Sequence, residues 1–69
     1  MNHVLAKTVL KTKVIELIAK KNGISIEETR DIFYCSETNN LVDDDQTGLY
    51  GESPLYVFSL FEKETNNKA

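Results

Sequence analysis

Apolar residues in the first third of the chain recur at the spacing expected for one face of an α-helix. Residues 3–22 contain neither glycine nor proline, and they end at Asn22-Gly23, where glycine suits a left-handed helix cap. At about 100° per residue, one stripe is expected to face the core, and it consists of Ala6, Leu10, Val14, Leu17 and Ile18. The alternation over residues 4–10 would also allow a strand there, but a single strand without a partner is rarely stable.

Some apolar residues of this helix lie off the stripe. Leu5 and Val9 are four residues apart on a side away from it, and Val4 and Ile15 lie at its edge. Two explanations are open. Either the rest of the chain covers the first turns, or Leu5 and Val9 form a contact face for another subunit or protein.

A second helix is predicted from Ser25 to about residue 36. Ser25 and Glu28 have the spacing of a capping box, in which each side chain accepts a backbone amide of the other residue. The expected buried side is Ile26, Thr29, Ile32 and Phe33, flanked by Tyr34 and Cys35. The first two helices have a helix–turn–helix outline, but the exposed side of the second is mostly acidic, which disfavours DNA binding.

A short third helix is predicted over residues 36–42, with Leu41 and Val42 toward the core. An acidic turn follows, in which Asp43-Asp44-Asp45 end the helix and Gly48 supplies a positive φ. The sequence therefore predicts a sharp joint in the second half of the chain.

Ser53-Pro54 is typical of a helix start, because serine caps free amides and proline suits the first helical position. The last helix is expected to run to about Glu64. Its residues 55–61 are almost wholly apolar, so a buried strand is the rival assignment. The Ser-Pro start favours a helix, which must then be covered on most sides.

These elements predict an all-α fold, a small bundle of three long helices plus one short helix. Residues 1–64 are expected to form a single helical domain and residues 65–69 a disordered tail. The core of a 69-residue chain supplies only about 3–5 kcal/mol, so association with another chain would add stability. No run approaches the length of a membrane span, and we expect a cytoplasmic protein without membrane contact.

The formal charge of −3 is unevenly distributed. Residues 1–24 carry five lysines and one glutamate, a net +4, whereas the remainder carries three cations and ten carboxylates, a net −7. The lysines could form a basic patch for nucleic acid. They are spread out, however, and lack arginine or an aromatic platform, which argues against nucleic-acid binding. Solvation of the helix and pairing with the acidic half, within the fold or across a dimer, is the favoured interpretation.

Candidate chemistry is sparse. Asp43, Asp45 and Gly48 match the start of a calcium loop, but Pro54 occupies the twelfth position, where that loop needs glutamate. One cysteine and one histidine cannot form a zinc site within the chain, and Cys35 is expected to be a small core residue. We expect no metal, no cofactor and no catalytic residue, and so no enzyme.

Several short motifs are spread over about half of the chain, namely Ile24-Ser25-Ile26-Glu27-Glu28, Phe33-Tyr34-Cys35-Ser36, Thr38, Leu41, Asp44, Thr47-Gly48-Leu49-Tyr50 and Ser53-Pro54-Leu55-Tyr56. In these motifs the chain resembles a family of short uncharacterised bacterial proteins. Proteins of this kind are often encoded beside an ADP-ribosyltransferase-like protein. The resemblance therefore implies a partner or antitoxin-like role, and it implies no site residues.

The surplus of apolar residues predicts a small protein–protein interaction module, either the helical partner of another protein or a homo-oligomer such as a homodimer. The expected interface residues are Leu5, Val9, Phe58 and Phe61. The alternative hypothesis is a nucleic-acid-binding regulator that uses the basic first helix.

Overall fold

The computed structural model describes residues 3–67, which form four α-helices and no strand. The helices are α1 (Val4–Asn22), α2 (Ile26–Tyr34), α3 (Glu37–Asp43) and α4 (Pro54–Asn67), with two 3-10 turns (Asp45–Thr47 and Leu49–Gly51) between α3 and α4. The all-α prediction is confirmed, although α2 has only nine residues. Helix α1 packs against each of the other three. Within the described range, no helix is long and apolar enough to cross a membrane.

The predicted helix boundaries follow local capping chemistry. Ser25, Ser36 and Ser53 each accept the backbone amide three residues ahead, at 3.1, 3.2 and 3.2 Å. Gly23 and Gly48 have φ values of 67° and 68°, as expected for the left-handed positions that glycine favours. The starts of α2, α3 and α4 and the joint at Gly48 are thus confirmed.

The buried side of α1 differs from the predicted stripe. Its buried residues are Leu10, Lys11, Val14, Ile15, Ile18 and Ala19. Ala6 is exposed and Leu17 only half-buried, so the buried side is rotated by roughly a quarter of a turn toward Lys11 and Ile15. Lys11 contributes to this difference, because its aliphatic stem is buried while its Nζ lies 2.6 Å from the Asp43 carboxylate, and the apolar pattern does not count a lysine as buried.

Helix α2 buries only half of its predicted apolar side. Thr29 and Phe33 are fully buried, whereas Ile26 and Ile32 are 42% and 45% exposed, so the prediction was wrong for the two isoleucines. Thr29 tolerates burial because its hydroxyl donates to a backbone carbonyl one turn earlier. Cys35, predicted to be a core residue, is exposed, because it caps the C-terminus of α2 where the chain leaves the helix.

Helix α4 is less covered, and longer, than predicted. Val57 and Phe61 enter the core, but Leu55 and Tyr56 remain exposed, because only one side of the helix faces the other three. The sequence predicted a disordered tail at residues 65–69, but α4 continues to Asn67, so residues 65–67 are helical. Residues 68 and 69 of that tail lie outside the described range.

Helix α3 is anchored by one of its own residues in the core and by a side chain of α4. Val42 is fully buried as predicted, although Leu41 is exposed. At the N-terminus of α3, the Glu64 carboxylate accepts the backbone amides of Glu37 and Thr38 at 2.9 and 3.0 Å and the Thr38 hydroxyl at 2.7 Å. A side chain of α4 thus supplies a helix cap to α3.

Candidate protein-docking surface

An open groove of about 470 Å³ lies between the first half of α1 and the segment that enters α4. We call it the α1 groove, and it is lined by Leu5, Ala6, Val9, Leu10, Lys13, Tyr50, Glu52 and Pro54. Leu5, Val9 and Lys13 follow one another at four-residue intervals, so they form a single row along α1. The opposite wall comes from residues 50–54.

The apolar row on α1 is exposed because the buried side of the helix faces elsewhere. Leu5 is 75% exposed and Val9 46% exposed, while Leu10 one position further is buried. Ala6, which the periodicity assigned to the core, lines the groove instead. Of the two explanations for the off-stripe residues, the structure excludes coverage by the described part of the chain.

Tyr50 is held in the groove wall by the N-terminal end of α1. Its ring stacks on His3 with centroids 4.2 Å apart, and its hydroxyl lies 3.2 Å from His3 Nε2. The ammonium group of Lys7 is 5.8 Å from the centre of the same ring. These contacts fix the end of the groove that lies beside the first turn of α1.

The groove carries one charge of each sign. Lys13 lies at the far end of the row from Leu5, and Glu52 lies on the opposite wall. Within residues 3–67, neither side chain forms an ion pair or a hydrogen bond in the chain. The groove is therefore apolar along its length, and the Lys13 ammonium group and the Glu52 carboxylate at its edges have no partner among residues 3–67.

Three other lysines of α1 do pair with the acidic half, as predicted for a solvated and internally paired helix. Lys7 and Lys11 reach Asp45 and Asp43, each at 2.6 Å. Lys21 pairs with Glu62 on α4. The Asp43 and Asp45 carboxylates that began the calcium-loop match are thus salt-bridged to α1.

The pair of Lys7 and Asp45 makes stability depend on pH. The Lys7 ammonium donates a hydrogen bond to Asp45, which lowers the Asp45 pKa below its usual 3.8 and raises the Lys7 pKa above its usual 10.5. The contribution of Asp45 is present above pH 3.8 and is lost as the pH falls through the lowered pKa. The contribution of Lys7 is complete below pH 10.5 and is lost as the pH rises through the raised pKa.

We expect Asp45→Asn to lower the melting temperature slightly at neutral pH, because the Asp45 side chain is 63% exposed and water screens the pair. The difference from the wild type should shrink as the pH falls well below 3.8, where both chains lack the carboxylate charge. Circular dichroism melts between about pH 2 and pH 7 measure it. Asp31→Asn is the control, since Asp31 is exposed and unpaired among the described residues. If the difference in melting temperature from the wild type changed with acid pH equally for Asp45→Asn and Asp31→Asn, this role of Asp45 would be contradicted.

The structure brings together only part of the predicted interface. Leu5 and Val9 share the α1 groove, whereas Phe58 is half-buried against the core, with Lys21 Nζ 5.7 Å from its ring centre. Phe61 is 5% exposed and packs on Phe33 inside the core, so it does not contribute to an exposed surface as predicted. Phe61 is buried because it lies one helical turn after the buried Val57, on the same core-facing side of α4.

Sequence reasoning did not place Tyr50, Glu52 and Pro54 beside Leu5 and Val9. The available signals were local, since the pattern marked residues 50–54 only as a turn and a helix start. The approach of this segment to α1 depends on how α3 and the two 3-10 turns return the chain, which no local pattern encodes.

Other chemistry in the described part of the chain is limited. No group of three or more histidine, cysteine, aspartate or glutamate side chains between residues 3 and 67 is arranged to hold a metal ion. Comparison of the chain with protein-family models, curated proteins and solved structures gives no match. The α1 groove is therefore the feature on which a functional argument rests.

Proposed function

We propose that this protein is a small protein–protein interaction module that binds a protein partner through the α1 groove. The partner is either a second copy of the chain or another bacterial protein. The observation that carries the proposal is the exposed pair of Leu5 and Val9 in one groove. Exposed apolar side chains that line a common concave surface are typical of sites that another macromolecule covers.

The small size of the domain adds to this argument. A core of this size supplies only about 3–5 kcal/mol, so covering Leu5 and Val9 would be a substantial addition. Removing apolar surface from water contributes about 25 cal/mol per Å². A binding partner would therefore stabilise the fold as well as fill the groove.

Nucleic-acid binding has less support as an alternative. Lys7, Lys11 and Lys21 are paired with carboxylates of the same chain, which neutralises them for phosphate binding. Those carboxylates would also repel a phosphate backbone that approached the lysines. A protein partner remains the better proposal.

The resemblance to bacterial proteins encoded beside an ADP-ribosyltransferase-like protein suggests one class of partner. In that arrangement the present chain would act as an antitoxin-like helical partner, with the α1 groove against the neighbouring gene product. This partner and self-association are separate versions of the same proposal, and both use Leu5 and Val9.

Replacing Leu5 and Val9 with lysine should abolish association while leaving the helical fold intact. Both side chains are exposed, so their removal costs the core little, whereas two buried charges in an interface are strongly unfavourable. The measurement is native mass by light scattering over a range of concentrations, combined with circular dichroism. If the wild type is monomeric, co-purification with the products of neighbouring genes takes the place of native mass.

Ile26→Lys with Ile32→Lys is a matched control. These residues are apolar and comparably exposed, but they lie on α2, outside the α1 groove. We expect the control to keep any association that the wild type shows. Equal loss in both double variants, or retention in both, would contradict a role for the α1 groove.

A further inference from the structure

We infer that residues 44–52, which include part of the second wall of the α1 groove, form a flap that opens and closes as a unit while the four helices stay folded, and that Lys7 is its latch. This inference concerns the free chain and goes beyond the proposed function. The groove flap, as we call residues 44–52, contains the two 3-10 turns. It carries Tyr50 and Glu52 of the groove lining.

The groove flap has little apolar anchorage of its own. Leu49 is its one buried residue, at 9% exposure, whereas residues 44–48 are all exposed. Its backbone hydrogen bonds are local, since each donating amide pairs with the carbonyl three residues earlier. These amides belong to Thr47, Gly48, Gly51 and Glu52. A segment with few buried apolar contacts and exposed backbone hydrogen bonds opens at a lower free energy than the core.

The helices on either side of the groove flap are anchored without it. Val42 of α3 is fully buried, and Val57 and Phe61 place α4 in the same core. A hydrogen bond of 2.6 Å from the Thr47 hydroxyl to the Leu41 carbonyl ties the flap to α3 at the surface, outside the contacts with α1. The flap can therefore leave α1 without displacing either helix from the core.

The contacts that hold the flap against α1 come from the first turns of that helix. The Lys7 ammonium group lies 2.6 Å from the Asp45 carboxylate and donates to the Asp43 carbonyl, just before the flap, at 2.8 Å. It also lies 5.8 Å from the centre of the Tyr50 ring, on which His3 stacks. One cation thus contacts both 3-10 turns. Because Asp45 is 63% exposed, releasing this latch costs less than opening the core.

Opening of the flap changes the α1 groove. As Lys7 releases Asp45, the flap moves away from α1 and withdraws Tyr50 from the row that contains Leu5 and Val9. The open groove then accepts a broader surface than the closed one. A partner that contacts both walls would hold the flap closed, since binding favours the conformation that it contacts.

Lys7→Met tests the latch, because methionine keeps an unbranched apolar stem and lacks the ammonium group. Hydrogen exchange of individual amides, followed by NMR, is the measurement. The four flap amides named above should exchange about five-fold faster than in the wild type, relative to the middle of α1, since an exposed ion pair shifts an opening equilibrium by about that factor. The comparison is made at one protein concentration, because association would also slow exchange.

Lys21→Met is the matched control. Lys21 lies at the other end of α1, pairs with Glu62, and has its ammonium group 5.7 Å from the centre of the Phe58 ring. Its removal therefore takes away an equivalent ion pair and cation–π contact without touching the flap. The flap amides should keep their wild-type rates relative to the middle of α1.

Faster exchange of all four flap amides in Lys7→Met, without this change in Lys21→Met, supports the latched flap. Equal acceleration in both variants, or acceleration no greater than in the middle of α1, overturns it. Acceleration confined to Thr47 and Gly48, the two amides nearest Asp45, overturns opening as a unit. Unchanged flap exchange in Lys7→Met overturns the latch. These variants leave Leu5 and Val9 in place, so failure of the flap is distinct from failure of the proposed function.

Discussion

Phe33→Ala is expected to leave the protein largely unfolded at 25 °C. Phe33 is fully buried, and its ring packs against Phe61 at a centroid distance of 5.7 Å. Truncating a buried phenylalanine to alanine costs about 3–5 kcal/mol, since it removes apolar contacts and leaves a cavity. That cost equals the whole stability expected for a domain of this size, about 3–5 kcal/mol. Far-UV circular dichroism should show loss of helix and no cooperative thermal transition.

Two further variants make this prediction specific. Phe33→Leu keeps most of the volume and should fold with a lower melting temperature, because the remaining cavity is small. Ile32→Ala removes the neighbouring apolar side chain, which is 45% exposed, and should cost no more than about 1 kcal/mol. Loss of the fold in Ile32→Ala, or an unchanged melting temperature in Phe33→Ala, would mean that α2 turns a different face to the core. All melts are compared at one protein concentration, because association would shift them.

The helix boundaries were predictable because adjacent residues determine them. Ser25, Ser36 and Ser53 each cap a helix whose first amides lie within three residues of the serine. Gly23 and Gly48 adopt left-handed conformations that few other residues tolerate. Such signals act over one turn of chain and do not depend on what packs above them.

The buried faces were less predictable because they depend on neighbouring helices. The apolar period of α2 correctly found Phe33, but it could not show that no other helix covers Ile26 and Ile32. In α1, the pattern counted Lys11 as polar, although its stem is buried and its ammonium group lies 5.2 Å from the centre of the Tyr34 ring. The stem of Lys11 is therefore part of the buried side of α1, together with Ile15 and Ala19.

The candidate site was predictable in part. Leu5 and Val9 were found because they lie off the predicted apolar stripe, and they also lie off the buried side that the structure shows. The opposite wall could not be found, since residues 50–54 reach α1 only through tertiary packing. The sequence therefore indicated an exposed apolar row, and the structure adds the opposite wall of the groove and the charged side chains of Lys13 and Glu52.

The cap that α4 gives to α3 was also beyond local reasoning, because Glu64 lies 26 residues from Thr38. Its carboxylate accepts the first two amides of α3, and Ser36 accepts the third, that of Asn39. Three of the four amides that a helix N-terminus leaves unpaired are thereby satisfied. A seven-residue helix has almost no stability of its own, so α3 depends on these contacts.

Glu64→Ala should therefore destabilise the protein by about 2–3 kcal/mol, since a hydrogen bond to a charged group contributes about 1.5–3 kcal/mol net and water can reach part of this half-exposed site once the carboxylate is removed. For a domain of this size, the melting temperature should fall by roughly 10–20 °C. Glu64→Gln keeps the shape and one acceptor oxygen, and should lose about half as much. Glu62→Gln is the control, because it makes the same chemical change in a partly exposed ion pair with Lys21 and should cost less than about 1 kcal/mol.

Hydrogen exchange of individual amides distinguishes a lost cap from a general loss of stability. In Glu64→Gln, the amides of Glu37 and Thr38 should exchange much faster than in the wild type, because the carboxylate that accepts them has been neutralised. The amides in the middle of α1 should change only as far as global stability changes. If residues 37 and 38 exchanged no faster than α1 does, or if Glu62→Gln lowered the melting temperature equally, the Glu64 side chain would not be holding α3 in place. Faster exchange confined to residues 37 and 38 would instead show that α4 stabilises the bundle in two ways. It places Val57 and Phe61 in the core, and it caps the N-terminus of α3 with the Glu64 carboxylate.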